Sequence, residues 1–311
     1  MADHKKKYLD FTRQPDFKDI LTNPILDIAA RFWEDDRYDA FRVCYRSMRV
    51  VDDLVDDRKV EGAISAGEKN QIAQAINGWL SALNCREAAD DFLVELLDTM
   101  DRFCIPVWPW SRLSTAMLYD LDHDGFRSFL CFLRYTEGAA VAPASIFMHL
   151  CGVNRADHVY TVPEFDIRKA ARPLAVFSYL VHIIRDFEKD QKRGLNYFAD
   201  DLLKRCGLGR RDLTSVAEGG SISTQFRQLM AMYKDFATYY QGLARKTVDV
   251  TRPYLEPQYQ LSLEIIYNLY SQIFERIDTE KGNFSGRELN PTPDEVQDRI
   301  YATVSMFRPI N

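Results

Sequence analysis

Apolar residues recur at alternating spacings of three and four through most of the chain, and clean two-residue alternation is rare. That period is the mark of helices with one buried face. Only 14 Gly and 12 Pro punctuate the 311 residues, so the pattern predicts an all-α protein. One helix is predicted from Asp39 to about Asp57, with Phe41, Cys44, Met48, Val51 and Val55 as its buried stripe. Another is predicted between Ile167 and Arg193, with Leu174, Phe177, Val181 and Ile184 inward, Pro173 starting or kinking it, and Gly194 ending it. Breaks at 103–111, 152–164, 206–223 and 278–293 are expected to be loops between helices. Thr292, Pro293 and Glu295 then spell the N-cap, first position and capping box of a final helix. No linker of changed composition and no repeat of roughly 20 to 50 residues is visible, so one domain over 1–311 is expected, its core at about 20–280.

Composition narrows the class of partner. With 46% hydrophobic and 28% charged residues the chain is globular, and its net charge of −6 argues against nucleic acid, whose phosphates are held by clustered Lys and Arg. Residues 1–7 are basic but lead into no apolar run, so a secretory signal is not expected and the cytoplasm is the expected location. The longest apolar stretches, 174–184 and 139–150, fall short of the roughly 20 residues that cross a bilayer, which leaves peripheral membrane contact at most. Six cysteines without a CxxC pair indicate neither a zinc ribbon nor a disulfide framework.

Two acidic clusters carry the candidate chemistry. One position beyond the buried stripe of the first helix runs a second one, Tyr45, Arg49, Asp52 and Asp56, with Asp53 beside it. Carboxylates one turn apart can share a hard divalent cation whose remaining ligands are phosphate oxygens and water. An isolated DDxxD also matches a solvated acidic face. On the second helix Ser178, His182, Asp186 and Asp190 follow one another every four residues, with Arg185 adjacent and Lys192 and Arg193 beyond. Exposed pairing of Asp186 and Asp190 with Lys189 and Arg193 is the structural alternative. Two aspartate helices, each with an arginine, suggest metals bridging two cavity walls around a diphosphate. The segment 120–125, DLDHDG, resembles a calcium loop, but its twelfth position is Cys131 instead of Glu, and no GxGxxG or P-loop is present.

Taken together, the two segments resemble the paired signatures of the squalene/phytoene synthase family. Tyr45, Arg49, Asp52, Asp53 and Asp56 match Y-x-x-x-R-x-x-D-D-x-x-D. Arg185, Asp186, Asp190, Arg193, Gly194 and Tyr197 match the second pattern, about 130 residues on. Met117 with Asp120, the small-residue run after Tyr135, and the late helix bearing Tyr270 add to the likeness, which covers about 25–280. The resemblance implies an all-α isoprenoid-synthase bundle with a central cavity, and head-to-head condensation of two farnesyl or geranylgeranyl diphosphates through a cyclopropylcarbinyl diphosphate. It implies a catalytic set of Asp52, Asp53, Asp56, Asp186, Asp190 and Tyr197. Tyr45, Arg49, Tyr135, Arg185, Arg193 and Tyr270 would bind substrate. Asp52, Asp56, His182, Asp186 and Asp190 would hold Mg2+, with Mn2+ as the alternative; NADPH would be needed only for a reduced product.

This sequence departs from the family at His182, where Asn is usual, and at Tyr179, where Gln is common; the Ser-x-Ser-Phe stretch near the N-terminus is replaced by TNPILDIAARFW. Imidazole is a poorer magnesium partner than oxygen, so His182 is either a ligand favouring a borderline metal or a core-facing histidine. Two other functions stay open. A terpene cyclase is disfavoured by R-D-x-x-x-D against N-x-x-x-S-x-x-x-E, and a non-catalytic assembly or binding protein is disfavoured by five clustered aspartates, which repel unless cations offset them.

Overall fold

The computed structural model describes residues 25–88, 90–156 and 159–310; the basic stretch 1–7 and residues 22–24 of TNPILDIAARFW lie outside them. In chain order the first half holds α1 (Ile25–Ala30), α2 (Asp35–Val60), α3 (Ala66–Cys85), α4 (Asp91–Arg102), α5 (Trp108–Asp122), α6 (Phe129–Thr136), a π-helical turn (Glu137–Val141) and α7 (Ala142–Gly152). A hairpin of β1 (Asn154–Ala156) and β2 (Val159–Thr161) follows. The second half holds α8 (Ile167–Arg185), α9 (Phe187–Lys192), α10 (Asp200–Arg205), α11 (Arg210–Ala217), α12 (Thr224–Thr251), a 3-10 turn (Arg252–Tyr254), α13 (Pro257–Glu275), α14 (Gly286–Leu289) and α15 (Pro293–Met306). Among the described residues the fold is all-α apart from the two short strands.

Local chemistry explains where these helices begin. Ser65, Asp90, Ser128, Asp166, Ser223, Ser285 and Thr292 each accept a backbone N–H of the first turn, satisfying donors that a helix start leaves unpaired. The Thr292–Glu295 capping box opens α15 as the sequence predicts. In α2 the predicted stripe is buried throughout, Phe41, Cys44, Met48, Val51 and Val55 all being at most 4% exposed. Each Phe, Met or Val in it contributes roughly 1.5–3 kcal/mol by leaving water. The helix extends beyond the predicted Asp39 and Asp57 at both ends because no Gly or Pro interrupts its 26 residues.

Several expectations need correcting. Pro173 lies inside α8, whose start is fixed upstream by the Asp166 cap. The second acidic segment is two helices divided at Asp186, which takes φ −92° and ψ 5°. The break is slight, since Asp186 N–H still donates to the His182 carbonyl and Asp190 N–H to the Asp186 carbonyl, both at 2.9 Å. The expected loop 152–164 contains the hairpin, 206–223 contains α11, and 278–293 contains α14.

α8 sits at the centre, packed lengthwise on α12 and also against α7 and α13. α5 approaches the π-helical turn so closely that a Cβ on Gly138 would lie 2.3 Å from the Arg112 carbonyl oxygen. One core of buried residues runs from Ile28 to Val304. Within it a cavity of about 1020 Å³ opens between α2, the π-helical turn, α7, α8, α9 and α13.

Candidate active site

All thirteen candidate residues meet in that cavity: Tyr45, Arg49, Asp52, Asp53 and Asp56 from α2; Tyr135 from α6; His182 and Arg185 from α8; Asp186, Asp190 and Arg193 along α9; Tyr197 from the next loop; and Tyr270 from α13. Arg49 and Arg193, which are exposed, and Asp53, whose side chain is 43% exposed, mark the mouth. Apolar residues such as Phe147, Met148, Leu174 and Ile266, all at most 6% exposed, line the depths. A charged rim over an apolar interior suits a ligand with an anionic head and a hydrocarbon tail.

On the α2 wall Arg49 donates to Asp52 Oδ2 at 2.6 Å and also binds Asp53 Oδ1. The pKa of Asp52 is raised, burial and the neighbouring Asp53 and Asp120 outweighing Arg49. Asp56 has no hydrogen bond or ion pair among the described residues, and burial, with Asp52 and Asp120 nearby, pushes its carboxyl up to about 7.

The opposite wall is wired differently. Arg185 donates through Nε to Asp186 Oδ1 at 2.6 Å and through a terminal nitrogen to Oδ2 at 2.9 Å, and His182 Nε2 lies 3.0 Å from Oδ2. Asp186 is half of a clamp: although burial opposes it, the bonds from His182 and Arg185 hold its carboxyl far below the usual range. Asp190, one turn on, lacks any such partner among the described residues and is pushed up to about 7 by burial and by Asp186.

His182 is not core-facing. It sits deep below the outer surface, yet 42% of its side chain opens onto the cavity. Arg185 contacts Nδ1 at 3.3 Å while Nε2 faces Asp186, so both ring nitrogens are engaged. Burial and the Arg185 charge lower its pKa and favour the neutral ring.

Tyrosines link the walls. Tyr197 is electrostatically coupled to both Asp56 and Asp190. Tyr45, beside Arg49 and Asp52, is coupled to Tyr270, which in turn feels Arg185 and Asp186. Burial raises the pKa of all three phenols, so they stay neutral at ordinary pH.

Whether divalent metal fits can be judged from these donors. Among the described residues no three His, Cys, Asp or Glu side chains converge on one point as a ready-made metal cage. What the two walls offer is a pair of bare carboxylates, Asp56 and Asp190, each pushed up to about 7 by burial and by neighbouring carboxylates. That arrangement fits magnesium bound through one or two carboxylates per wall and completed by phosphate oxygens.

The sequence reading missed some of the wall. Asn290, Pro291 and Val296 line the cavity from beyond the expected core limit of 280, and Gln272 on α13 and Ile25 and Leu26 on α1, within that limit, line it too. No spacing rule marks them, because their place depends on the chain returning over the opening. Asp120, buried at 6%, receives the Tyr135 hydroxyl. No helix among the described residues is long and apolar enough to cross a membrane.

Comparison with known proteins identifies a family and a fold. The family model described as squalene/phytoene synthase matches residues 27–295. The chain is 25% identical over 206 residues to phytoene synthase 3, chloroplastic, of Zea mays, covering 65% of this chain and 45% of the relative. It is 23% identical over 262 residues to a chloroplastic phytoene synthase of Narcissus pseudonarcissus, covering 81% and 56%. It thus spans about half the length of these curated relatives. In fold it is similar to a dehydrosqualene synthase solved in complex with ligand, with TM-score 0.67, 15% identity and coverage of 98% of this chain and 99% of that one. It is also similar to squalene synthase HpnC from Alicyclobacillus acidocaldarius, with TM-score 0.65, 16% identity and coverage of 87% and 93%.

Proposed function

The chain belongs to the squalene/phytoene synthase family, and from that premise we propose that it is a metal-dependent prenyl transferase joining two prenyl diphosphates head to head. The observation carrying this reading is the pair of aspartate helices lining one cavity whose depths are apolar.

Asp52 and Asp56 on one wall and Asp186 and Asp190 on the other would hold magnesium together with diphosphate oxygens, and the bound ion would supply the Lewis acidity that eases carbon–oxygen ionisation. Arg49, Arg185 and Arg193 bind the outer phosphate oxygens, guanidinium groups matching them bidentately. Asp53 keeps Arg49 turned toward the mouth. Tyr45, Tyr135, Tyr197 and Tyr270 line the space where the allylic cation forms, offering aromatic faces and excluding water. The second prenyl double bond attacks that cation and gives a cyclopropylcarbinyl diphosphate. His182 would offer a nitrogen donor to the metal if Arg185 turned from its Nδ1 toward phosphate, a donor that suits manganese better than magnesium.

The test is incubation with farnesyl or geranylgeranyl diphosphate and Mg2+, with and without NADPH, followed by mass spectrometry of the lipid extract. A C30 or C40 hydrocarbon or its cyclopropylcarbinyl precursor is expected. A cyclic C15 or C20 product would make the protein a terpene cyclase. Absence of saturable, metal-dependent binding of a farnesyl diphosphate analogue would make it a scaffold.

A further inference from the structure

One helical run, from Phe129 through Gly152, carries a cavity wall down into the apolar depths, and it is not wound evenly. Tyr135, Ala139, Pro143 and Phe147, each four residues on, all line the cavity, with Ala140 and Ala144 beside them. In a plain α-helix each step of four residues overshoots a full turn by about 40°, so Tyr135 and Phe147 would face directions about 120° apart. The π-helical turn at Glu137–Val141 takes up one extra residue, about 100° of that drift, and lines the four up. Pro143 is the local cause. It has no N–H for the Ala139 carbonyl four residues back, and its ring would crowd that carbonyl in an α-turn, whereas π bonding reaches one residue further, to Ala144.

Charge holds this turn in place. The Glu137 carboxylate, 16% exposed, accepts from Arg168 at 2.6 Å and from Arg172, both on α8. Arg172 also lies against Tyr240 of α12, 5.9 Å from its ring centre. Ala171 and Ala175, on either side of Arg172, line the cavity, so the three charges join two cavity-lining segments from behind. A pair this sheltered loses hydration that exposed pairs keep, and setting a register is the best-attested use of such groups. Gly138 is meanwhile seated against the Arg112 carbonyl of α5, where a Cβ would lie 2.3 Å away. The start of the turn is thereby fixed. Relaxation to an α-turn would rotate α7, carrying Pro143 and Phe147 off the wall and Ala142 and Ile146, at most 2% exposed, toward it.

We propose that Glu137, clamped by Arg168 and Arg172, is a positioning residue that holds the π register and so keeps one continuous wall for the prenyl tail. The length of tail accepted then depends on a charge cluster outside the cavity. The proposal takes its ligand, a diphosphate with a prenyl tail, from the head-to-head reading above, but it concerns the tail alone. The aspartates and arginines at the mouth bind the diphosphate whether or not the turn holds. Losing the clamp therefore leaves head binding intact and weakens binding more the further a tail reaches toward Phe147.

Isothermal titration in the presence of Mg2+ separates head from tail with four probes: inorganic diphosphate, and the unreactive thiolodiphosphates of geraniol, farnesol and geranylgeraniol. Wild type should bind the farnesyl compound more tightly than the geranyl one, because the added five-carbon unit leaves water. In Glu137→Gln and Arg172→Met, checked for folding by circular dichroism, inorganic diphosphate should bind as in wild type and the geranyl compound within about threefold of it, while the longest compound that wild type accepts should bind about tenfold or more weaker. Deleting Ala140 from Glu137→Gln removes the extra residue, so that an ordinary α-turn keeps the facing of α7, and most of the lost affinity should return. Shortening the chain would not rescue a salt bridge that served stability alone. Equal losses for all four probes, no loss in the folded variants, or no recovery on deletion would overturn the proposal. Should Glu137→Gln not fold, Arg172→Met and Arg168→Met decide by the same ordering of losses. If wild type binds inorganic diphosphate but none of the prenyl compounds, the prenyl-transferase reading falls and the positioning role falls with it.

Discussion

Asp186 and Asp190 sit one turn apart on the same wall and are in opposite electrostatic states. Three contacts from Arg185 and His182 engage Asp186, whereas Asp190, like Asp56 across the cavity, has none among the described residues. Asp52→Asn and Asp186→Asn should each lower turnover by about 100-fold or more, the loss of several kcal/mol of transition-state stabilisation, with unchanged circular dichroism. Wild-type steady-state rates in both variants would remove these residues from the chemistry. His182→Asn separates two roles: a shifted magnesium against manganese profile is the outcome for a ligand, and identical profiles would mean that the ring serves Asp186 alone. The Arg49 contacts to Asp52 and Asp53 were legible because i,i+3 and i,i+4 neighbours meet on any helix. The Tyr135–Asp120 bond was not, since it joins separate helices whose crossing no local spacing reveals.

The long helices follow from period and caps, and the short elements do not. α11 and α14, with eight and four residues, and the three-residue strands offer too few positions for a period to register, which is why those stretches read as loops. The π-helical turn was equally hidden in the small-residue run after Tyr135. Its extra residue per turn presents Ala139 and Ala140 to the cavity directly after Tyr135, and Glu137 is tied to Arg168 and Arg172 of α8. Gly138 makes the arrangement feasible, because backbone of α5 occupies the place a side chain would take. Gly138→Ala should therefore destabilise the fold by about 1–3 kcal/mol, seen as a melting temperature lower by several degrees. An unchanged melting curve would show that α5 can withdraw from the turn freely.

Across the whole molecule the cavity gathers residues from Ile25 to Val296, so its existence follows from topology while its chemistry follows from the two motifs. Concentrating acids in one hollow has a consequence for stability. Asp56 and Asp190 hold protons up to about pH 7 in the folded protein, whereas an unfolded chain releases them near pH 4. Between those values the folded state binds more protons, so stability falls as pH rises from about 4 to about 7 and levels off above. Asp186 works the other way: its depressed pKa contributes stability at and above the usual carboxylate range and is lost only in strong acid. After allowance for water in the cavity, each raised carboxylate removes on the order of 1–2 kcal/mol at neutral pH, a few degrees of melting temperature. The metal-free protein should therefore melt lower at pH 8 than at pH 5.5. Asp56→Asn should shrink that difference, and Mg2+ with inorganic diphosphate should raise the pH 8 value most, because ligand binding selects the ionised carboxylates. Scanning calorimetry of both proteins at the two pH values decides it: if Asp56→Asn and wild type lose the same number of degrees, and Mg2+ stabilises equally at both pH values, the two bare aspartates are not the site where cation and fold are linked.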